Sequence, residues 1–400
     1  MKHNTQCRIC GSERLVRFLD LGNQPLANAF LKSKDEIEST YPLQVYFCED
    51  CNLVQLLDVV DRKELFSDYI YFSSGMPKLS NHFRAYAEQV KKFLKPSDFV
   101  VEIASNDGIL LRFFKDEGYK ILGIDPAANV AKVAESIGVP TMVDFFSEKL
   151  ASKIRRKADL ILANNVIAHM EDLRDMARGI RQLLSKEGVL VIEAPYLVDM
   201  FENLTYDTIY HEHVSYLALR PLKRLFGYYG LEVFDMEVNV VQGRSLRVFV
   251  GFKGKHEVKE SVKKYEDLEL SMGLNRLEAY QVLAEMVAGQ KKQLGDLVKG
   301  LQHVGKRIAI YGATAKGNTM LNYCGIIGLE YAVDDLSSKQ GMFTPGTRVP
   351  IVNSDYAHKH EPDYYLMLAW NYEKAILEKE KDFLAKGGHF IIPVEGIRIV

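Results

Sequence analysis

Two cysteine pairs, Cys7-Arg-Ile-Cys10 and Cys48-Glu-Asp-Cys51, constrain this chain more than any other feature. A C-x-x-C knuckle brings two thiolates to one ion from a single tight turn, and two knuckles complete a tetrahedral sulfur site suited to zinc. One pair alone would leave a redox dithiol open; a second pair favours the metal. Four thiolates close the coordination sphere and leave no place for a reactive water. The expected Zn2+ is therefore structural and holds together a small domain over residues 1–75. Strand-like stretches at Leu15–Leu21 and Tyr41–Phe47 lie between the knuckles, the second running into Cys48. Cys324, the fifth cysteine, sits in an apolar segment and is expected to pack in a core.

Lys and Arg number 51 against 53 Asp and Glu, giving a net charge of −2. That balance argues against a nucleic-acid binder driven by bulk charge. No apolar run approaches the roughly 18 residues of a membrane span. Residues 1–6 carry no apolar signal core, and five cysteines are too few for a disulfide scaffold. A cytoplasmic protein with no membrane partner is expected.

The middle of the chain, residues 76–255, has an alternating α/β rhythm. Asp98–Ile103 reads as a strand, Ala104–Gly108 as a turn of small residues, and Ile109–Lys115 as the start of a helix. Tyr119–Asp125 is a second strand ending in an acid. Such βαβ units form parallel sheets that bind ligands at the carboxyl ends of their strands. Asp125 falls where an acid can take both ribose hydroxyls, whereas the pyrophosphate fingerprint G-x-G-x-x-G is absent. This suits a ligand with ribose and no phosphate, and S-adenosylmethionine (SAM) is one. Glu102, Asn106, Asp107, Gly108, Asp125, Asn164 and Asn165 are the expected cofactor contacts. The competing reading is a generic Rossmann-like domain with Asp107 as a helix N-cap. Strands at Ala158–Ala163 and Gly188–Glu193 continue the pattern, with a helix to Leu184 between them. His169, just past a strand end, lies either near the cofactor or in a structural role.

Tyr210-His211-Glu212-His213, with Tyr216 close behind, crowds titratable groups together. In an extended segment Tyr210 and Glu212 would share one face, and His211 and His213 the other. The cluster offers a metal-binding H-x-H or a histidine general base tuned by a carboxylate and a tyrosine. A His-rich surface loop is the alternative. Residues 256–303 read as one or two connecting helices. Residues 304–400 form a second α/β unit, with strands at Arg307–Tyr311, Tyr331–Asp335, Asp363–Ala369 and His389–Val394. Its turn, Gly312–Thr319, has Asn318 where a P-loop needs lysine, which argues against an NTPase. The turn can still offer backbone N–H groups to a diphosphate with Lys316 as counter-charge. Trp370-Asn371, after a strand end, would pack a base or sugar, or Trp370 would be core.

These blocks, together with Gly22–Asn28, Val101–Gly108, Asp207–His213, Gln340-Gly341 and Thr344–Thr347, resemble the C-methyltransferases that act on nucleotide-linked 4-keto-deoxysugars. The resemblance runs from the first knuckle to the C-terminus. It implies an α/β fold of three parts: a small N-terminal zinc domain with four cysteine ligands (Cys7, Cys10, Cys48 and Cys51), a central Rossmann-like SAM domain and a C-terminal Rossmann-like domain that helps hold the nucleotide sugar. It implies methyl transfer from SAM to sugar carbon 3, next to the C-4 ketone, in deoxysugar biosynthesis. The family's catalytic histidine matches His213, beside Glu212 and Tyr210, and His169 matches another active-site histidine. A tyrosine from the N-terminal part matches Tyr69 or Tyr71, with Tyr71 the nearer. Lys316, Asn318, Thr319, Trp370 and Asn371 are the expected sugar-nucleotide contacts, with a dTDP-linked substrate and a monomer or weak oligomer. The chain departs from the family at Arg244, where a glycine is expected before Ser245-Leu246-Arg247. Alternative functions are a non-catalytic nucleotide-sugar binder, an O- or N-methyltransferase of a small acceptor, and a zinc-bearing RNA methyltransferase, the last disfavoured by charge.

Overall fold

The computed structural model describes residues 1–61, 64–65, 77–240 and 244–400. Tyr69 and Tyr71 lie outside the described residues. Apolar runs such as Phe99–Ile103 and Ala158–Asn164 become strands covered on both faces, as parallel sheets require. They belong to a seven-stranded sheet in the order 231–240, 244–252, 184–195, 158–164, 99–103, 120–124, 141–142. The last five are mutually parallel, while Arg244–Phe252 runs antiparallel to both its neighbours. From Phe99–Ile103 the chain winds outward through two strands, then crosses back to lay Ala158–Asn164 on the other side. That reversal opens a crevice at the carboxyl ends of Phe99–Ile103 and Ala158–Asn164. The expected strand at Gly188–Glu193 begins earlier, at Leu184, with a bulge before Val189.

A smaller sheet is antiparallel, ordered 215–216, 54–56, 40–48, 15–25. Its outermost strand, Ser215–Tyr216, follows directly on the His213 segment. The N-terminal sheet therefore holds one end of the titratable cluster. A third sheet, ordered 351–352, 332–333, 308–311, 364–367, 389–392, 398–399, is parallel except for its last strand. Its crevice opens beside Tyr311 and Met367. Two helices, Glu260–Ser271 and Leu277–His303, precede this sheet.

One apolar core runs unbroken from Ile9 and Leu43 through Ile161 and Leu219 to Leu294 and Ile310. A bridge between Leu31 and Phe343 adds a backbone link between the chain's two ends. The sheets are thus packed as one body, with their crevices facing a common interior. Among the described residues no helix is long and apolar enough to cross a membrane.

Candidate active site

The first turn of the central sheet is held in a demanding shape. Ala104 and Asn106 have φ of 57° and 49°, and Gly108 has φ of 77°. A Cβ at Gly108 would also lie 3.0 Å from Val139, so glycine is needed on two counts. Asp125 braces the turn: its Oδ2 accepts from the backbone N–H of Asn106 and its Oδ1 from that of Ala127, both at 2.9 Å. Burial pushes the Asp125 carboxyl above its usual range, opposed by those two bonds. Glu102 is also buried and pushed well up, and its Oε1 accepts from Asn164 at 3.4 Å. Asp107 is buried beside these acids but is not the cap of the next helix, which starts at Leu111 behind Leu110.

Glu102, Asn106, Asp125, Asn164 and Asn165 line a cavity of about 1380 Å³, larger than a typical single-ligand pocket. His169, Tyr210, Glu212 and His213 line it too, as do Lys316 and Asn371 from the C-terminal sheet. The cavity therefore joins the central crevice to the C-terminal one, with the titratable cluster between. Asp107, Gly108, Asn318, Thr319 and Trp370 lie outside its wall. Asn318 and Thr319 are buried, and the Asn318 amide donates to the carbonyl of Ala27 at 2.8 Å, tying the C-terminal helix Ala315–Cys324 to the N-terminal part.

The Tyr210–His213 segment is a turn rather than a strand, closed by a bond from the His213 N–H to the Tyr210 carbonyl at 2.8 Å. The expected pairing of faces therefore changes: Tyr210 packs on His213, the rings tilted by 33° with centroids 4.1 Å apart. The His213 Nδ1 lies 2.8 Å from the Thr208 carbonyl. A carbonyl only accepts, so Nδ1 carries the proton and Nε2 is the basic nitrogen. Nε2 receives the Tyr210 hydroxyl at 3.0 Å. Burial, and then the neighbouring His169, hold His213 well below the usual histidine range. The His169 ring lies 4.7 Å away, and burial lowers its own pKa to about 4. His211 turns the other way, its Nε2 3.2 Å from the Tyr41 carbonyl. The two histidines of H-x-H thus have separate surroundings and do not form a shared ligand pair.

Glu212 is buried, and its carboxyl is pushed up to about 7 by burial, opposed by a bond from Asn28 Nδ2 at 2.7 Å. Asn28 was within reach of sequence reading, since its block was singled out, but nothing in it announced the contact with Glu212. Lys316 lies in the wall with its ammonium 4.4 Å above the Trp370 ring, and burial lowers its pKa against the pull of Asp207 and Asp199. Trp370 donates from Nε1 to Asp207 at 2.6 Å. Trp370 is thus neither plain core nor a cavity-facing platform; it backs Lys316 and ties the C-terminal sheet to the 207–213 segment. Arg244 lines the cavity and forms an ion pair with Glu202.

Cys7, Cys10, Cys48 and Cys51 place all four sulfurs within 4.8 Å of one another. A tetrahedral ion with Zn–S of about 2.3 Å needs sulfur pairs about 3.8 Å apart, so the donor set fits zinc. Bonds from Cys48 and Cys51 lower the Cys7 thiol, while Cys51 is driven upward by the same crowding. Among the described residues this is the one group of His, Cys, Asp and Glu side chains placed to hold a metal ion.

Three domain families match along the chain: a domain described as zinc-binding over residues 7–66, a methyltransferase domain over 79–235, and the C-methyltransferase C-terminal domain over 240–395. The chain is 36% identical to the C-methyltransferase NovU of Streptomyces niveus, an alignment covering 99% of this chain and 96% of NovU. A SAM-dependent methyltransferase from Archaeoglobus fulgidus aligns at 16% identity over 44% of this chain and 94% of its own, with a TM-score of 0.37. The magnesium protoporphyrin IX methyltransferase of Synechocystis aligns at 11% identity over 43% and 77%, with a TM-score of 0.32. These two are too distant to add to the fold described above. On its end-to-end match to NovU, and on the zinc-binding and methyltransferase domains that accompany it, the chain belongs to the SAM-dependent C-methyltransferases.

Proposed function

We propose that the enzyme methylates carbon 3 of a nucleotide-linked 4-keto-deoxysugar, with His213 as the base. The observation that carries this is the His213 dyad: a buried imidazole anchored through Nδ1, with its basic nitrogen on Tyr210, in a cavity shared by two crevices. A carbon nucleophile needs a C–H bond made acidic by an adjacent carbonyl and a base held beside it. Burial keeps His213 neutral at pH 7, so it is free to accept a proton.

When bound, SAM supplies a methyl group on a sulfonium sulfur, already electrophilic. Asp125, Glu102 and Asn164, which line the central crevice, would hold it. The remaining work belongs to the chain. His213 Nε2 takes the C-3 proton, leaving the electron pair as an enolate across C-3, C-4 and oxygen. Tyr210, displaced from Nε2, donates its hydroxyl to the enolate oxygen. The walls hold C-3 in line with the methyl group, which converts a bimolecular attack into a positioned one. Lys316, with Thr314 and Ala315 in the same stretch of wall, would meet the nucleotide's diphosphate from the C-terminal crevice. The match to NovU, a C-methyltransferase, supports carbon over oxygen or nitrogen as acceptor.

Incubation with methyl-labelled SAM and a dTDP-4-keto-deoxysugar, followed by NMR of the product, tests this reading. The expected product carries the label on carbon 3. A label on oxygen or nitrogen, or no transfer to any 4-keto sugar, overturns it.

A further inference from the structure

Arg8 sits between the two cysteines of the first knuckle and lines the cavity. Only 7% of it is exposed. Its backbone N–H and its Nε both donate to Gln55 Oε1 at 3.2 Å, and its Nη2 donates to the Leu56 carbonyl. Its Nη1 is buried and has no partner. Ser215 Oγ and the Tyr216 hydroxyl are likewise buried and without a partner, and both residues line the same cavity. Ser215 is paired with Gln55, the residue that anchors Arg8, and Tyr216 follows it opposite Val54. The ionisable neighbours of Arg8 are Cys7, Glu171 and Tyr216, and Glu171 is engaged by Lys2 at 3.3 Å.

Buried donors are nearly always satisfied, and a cluster left open is costly to the fold. A guanidinium N–H and two hydroxyls around one cavity wall match a negatively charged oxygen. We propose that Arg8, Ser215 and Tyr216 form an oxyanion subsite that takes a carboxylate or phosphoryl oxygen of a ligand bound in this cavity. The knuckle, closed by its metal, fixes Arg8 in this wall, so the zinc-binding part supplies a ligand contact as well as a scaffold. The phosphoryl source rests on the nucleotide-sugar reading; the carboxylate source, the methionine end of the methyl donor, does not.

Titration calorimetry on the zinc-loaded full chain separates the two, using S-adenosylhomocysteine for the carboxylate and dTDP for the phosphoryl group. Zinc content is measured for each protein. In Arg8→Lys one ligand should weaken at least about tenfold, and in Tyr216→Phe the same ligand should weaken about threefold, with the other ligand unchanged. The ligand that weakens identifies the source. If Arg8→Lys does not retain zinc, Tyr216→Phe decides alone, because it deletes only a hydroxyl with no partner in the protein. S-adenosylhomocysteine affinity unchanged within about twofold overturns the subsite when dTDP affinity is also unchanged, or when the unaltered enzyme does not bind dTDP. That last result separately counts against the nucleotide-sugar reading.

Discussion

Replacing Glu212 by glutamine should stabilise the protein, and by an amount that grows with pH. Burial pushes the Glu212 carboxyl from an ordinary 4.5 up to about 7. A carboxyl with a raised folded-state pKa binds its proton more tightly when folded. Relative to the ionised group, the protonated form therefore lends stability that is complete below about pH 4.5 and is lost as pH rises through 7. At about 1.4 kcal/mol per pH unit, the interval between the two values is worth about 3 kcal/mol. Glutamine keeps the shape, keeps an oxygen for the Asn28 amide that now sits 2.7 Å away, and never ionises. Glu212→Gln should therefore be more stable than the unaltered enzyme by about 3 kcal/mol at pH 8 and about 2 kcal/mol at pH 6. In a single transition of this 400-residue chain, 3 kcal/mol moves Tm by about 4 °C. Thermal melts of both zinc-loaded proteins from pH 6 to 8.5 measure the difference. A difference that does not change with pH, or a variant less stable at pH 8, would refute the reasoning that burial resists the ionisation of Glu212.

Tyr210→Phe removes the hydroxyl 3.0 Å from His213 Nε2 and should lower kcat by about 10- to 100-fold with little change in Tm; an unchanged kcat removes Tyr210 from the chemistry. Stripping the metal with a strong chelator under reducing conditions should unfold the 15–56 sheet, seen as a lower Tm and lost β-sheet signal in circular dichroism, because the bonds that tie the two knuckles through one ion are lost. Retention of both signals would mean that the apolar core alone holds that sheet. Gly108→Ala forces φ of 77° on alanine and drives its Cβ against Val139 and Ala134; a loss of about 1–3 kcal/mol in urea melts, with weaker SAM binding, is expected, and a neutral result would show that the turn can relax.

Much of this architecture was legible because its signals are local. Cysteine spacing announced the sulfur site, and strands covered on both faces announced themselves as short apolar runs ending in Asn106–Gly108, Asp125 and Asn164. The cross-chain contacts were not legible. Nothing local says that Ser215–Tyr216 leaves the central part to join the N-terminal sheet, since a two-residue strand has no periodicity to detect. The Tyr210–His213 pairing was misjudged for a related reason: alternation was assumed, whereas a turn brings residues three apart together. Trp370 was ambiguous between core and ligand contact because its partner, Asp207, is 163 residues away. Asn318 is an expected sugar-nucleotide contact on the family resemblance, yet its amide donates to the Ala27 carbonyl, 291 residues distant. Arg8 passed as a spacer between two metal ligands until the fold brought it beside the cavity.

The central claim is that this protein breaks a carbon–hydrogen bond before it makes a carbon–carbon bond. Proton NMR of a dTDP-4-keto-deoxysugar incubated with the enzyme in heavy water, without SAM, tests that step alone. The account predicts deuterium entering C-3 with the unaltered enzyme, and exchange reduced to background in His213→Asn. Methylation of that carbon with SAM present, at an unchanged rate in His213→Asn, would contradict it.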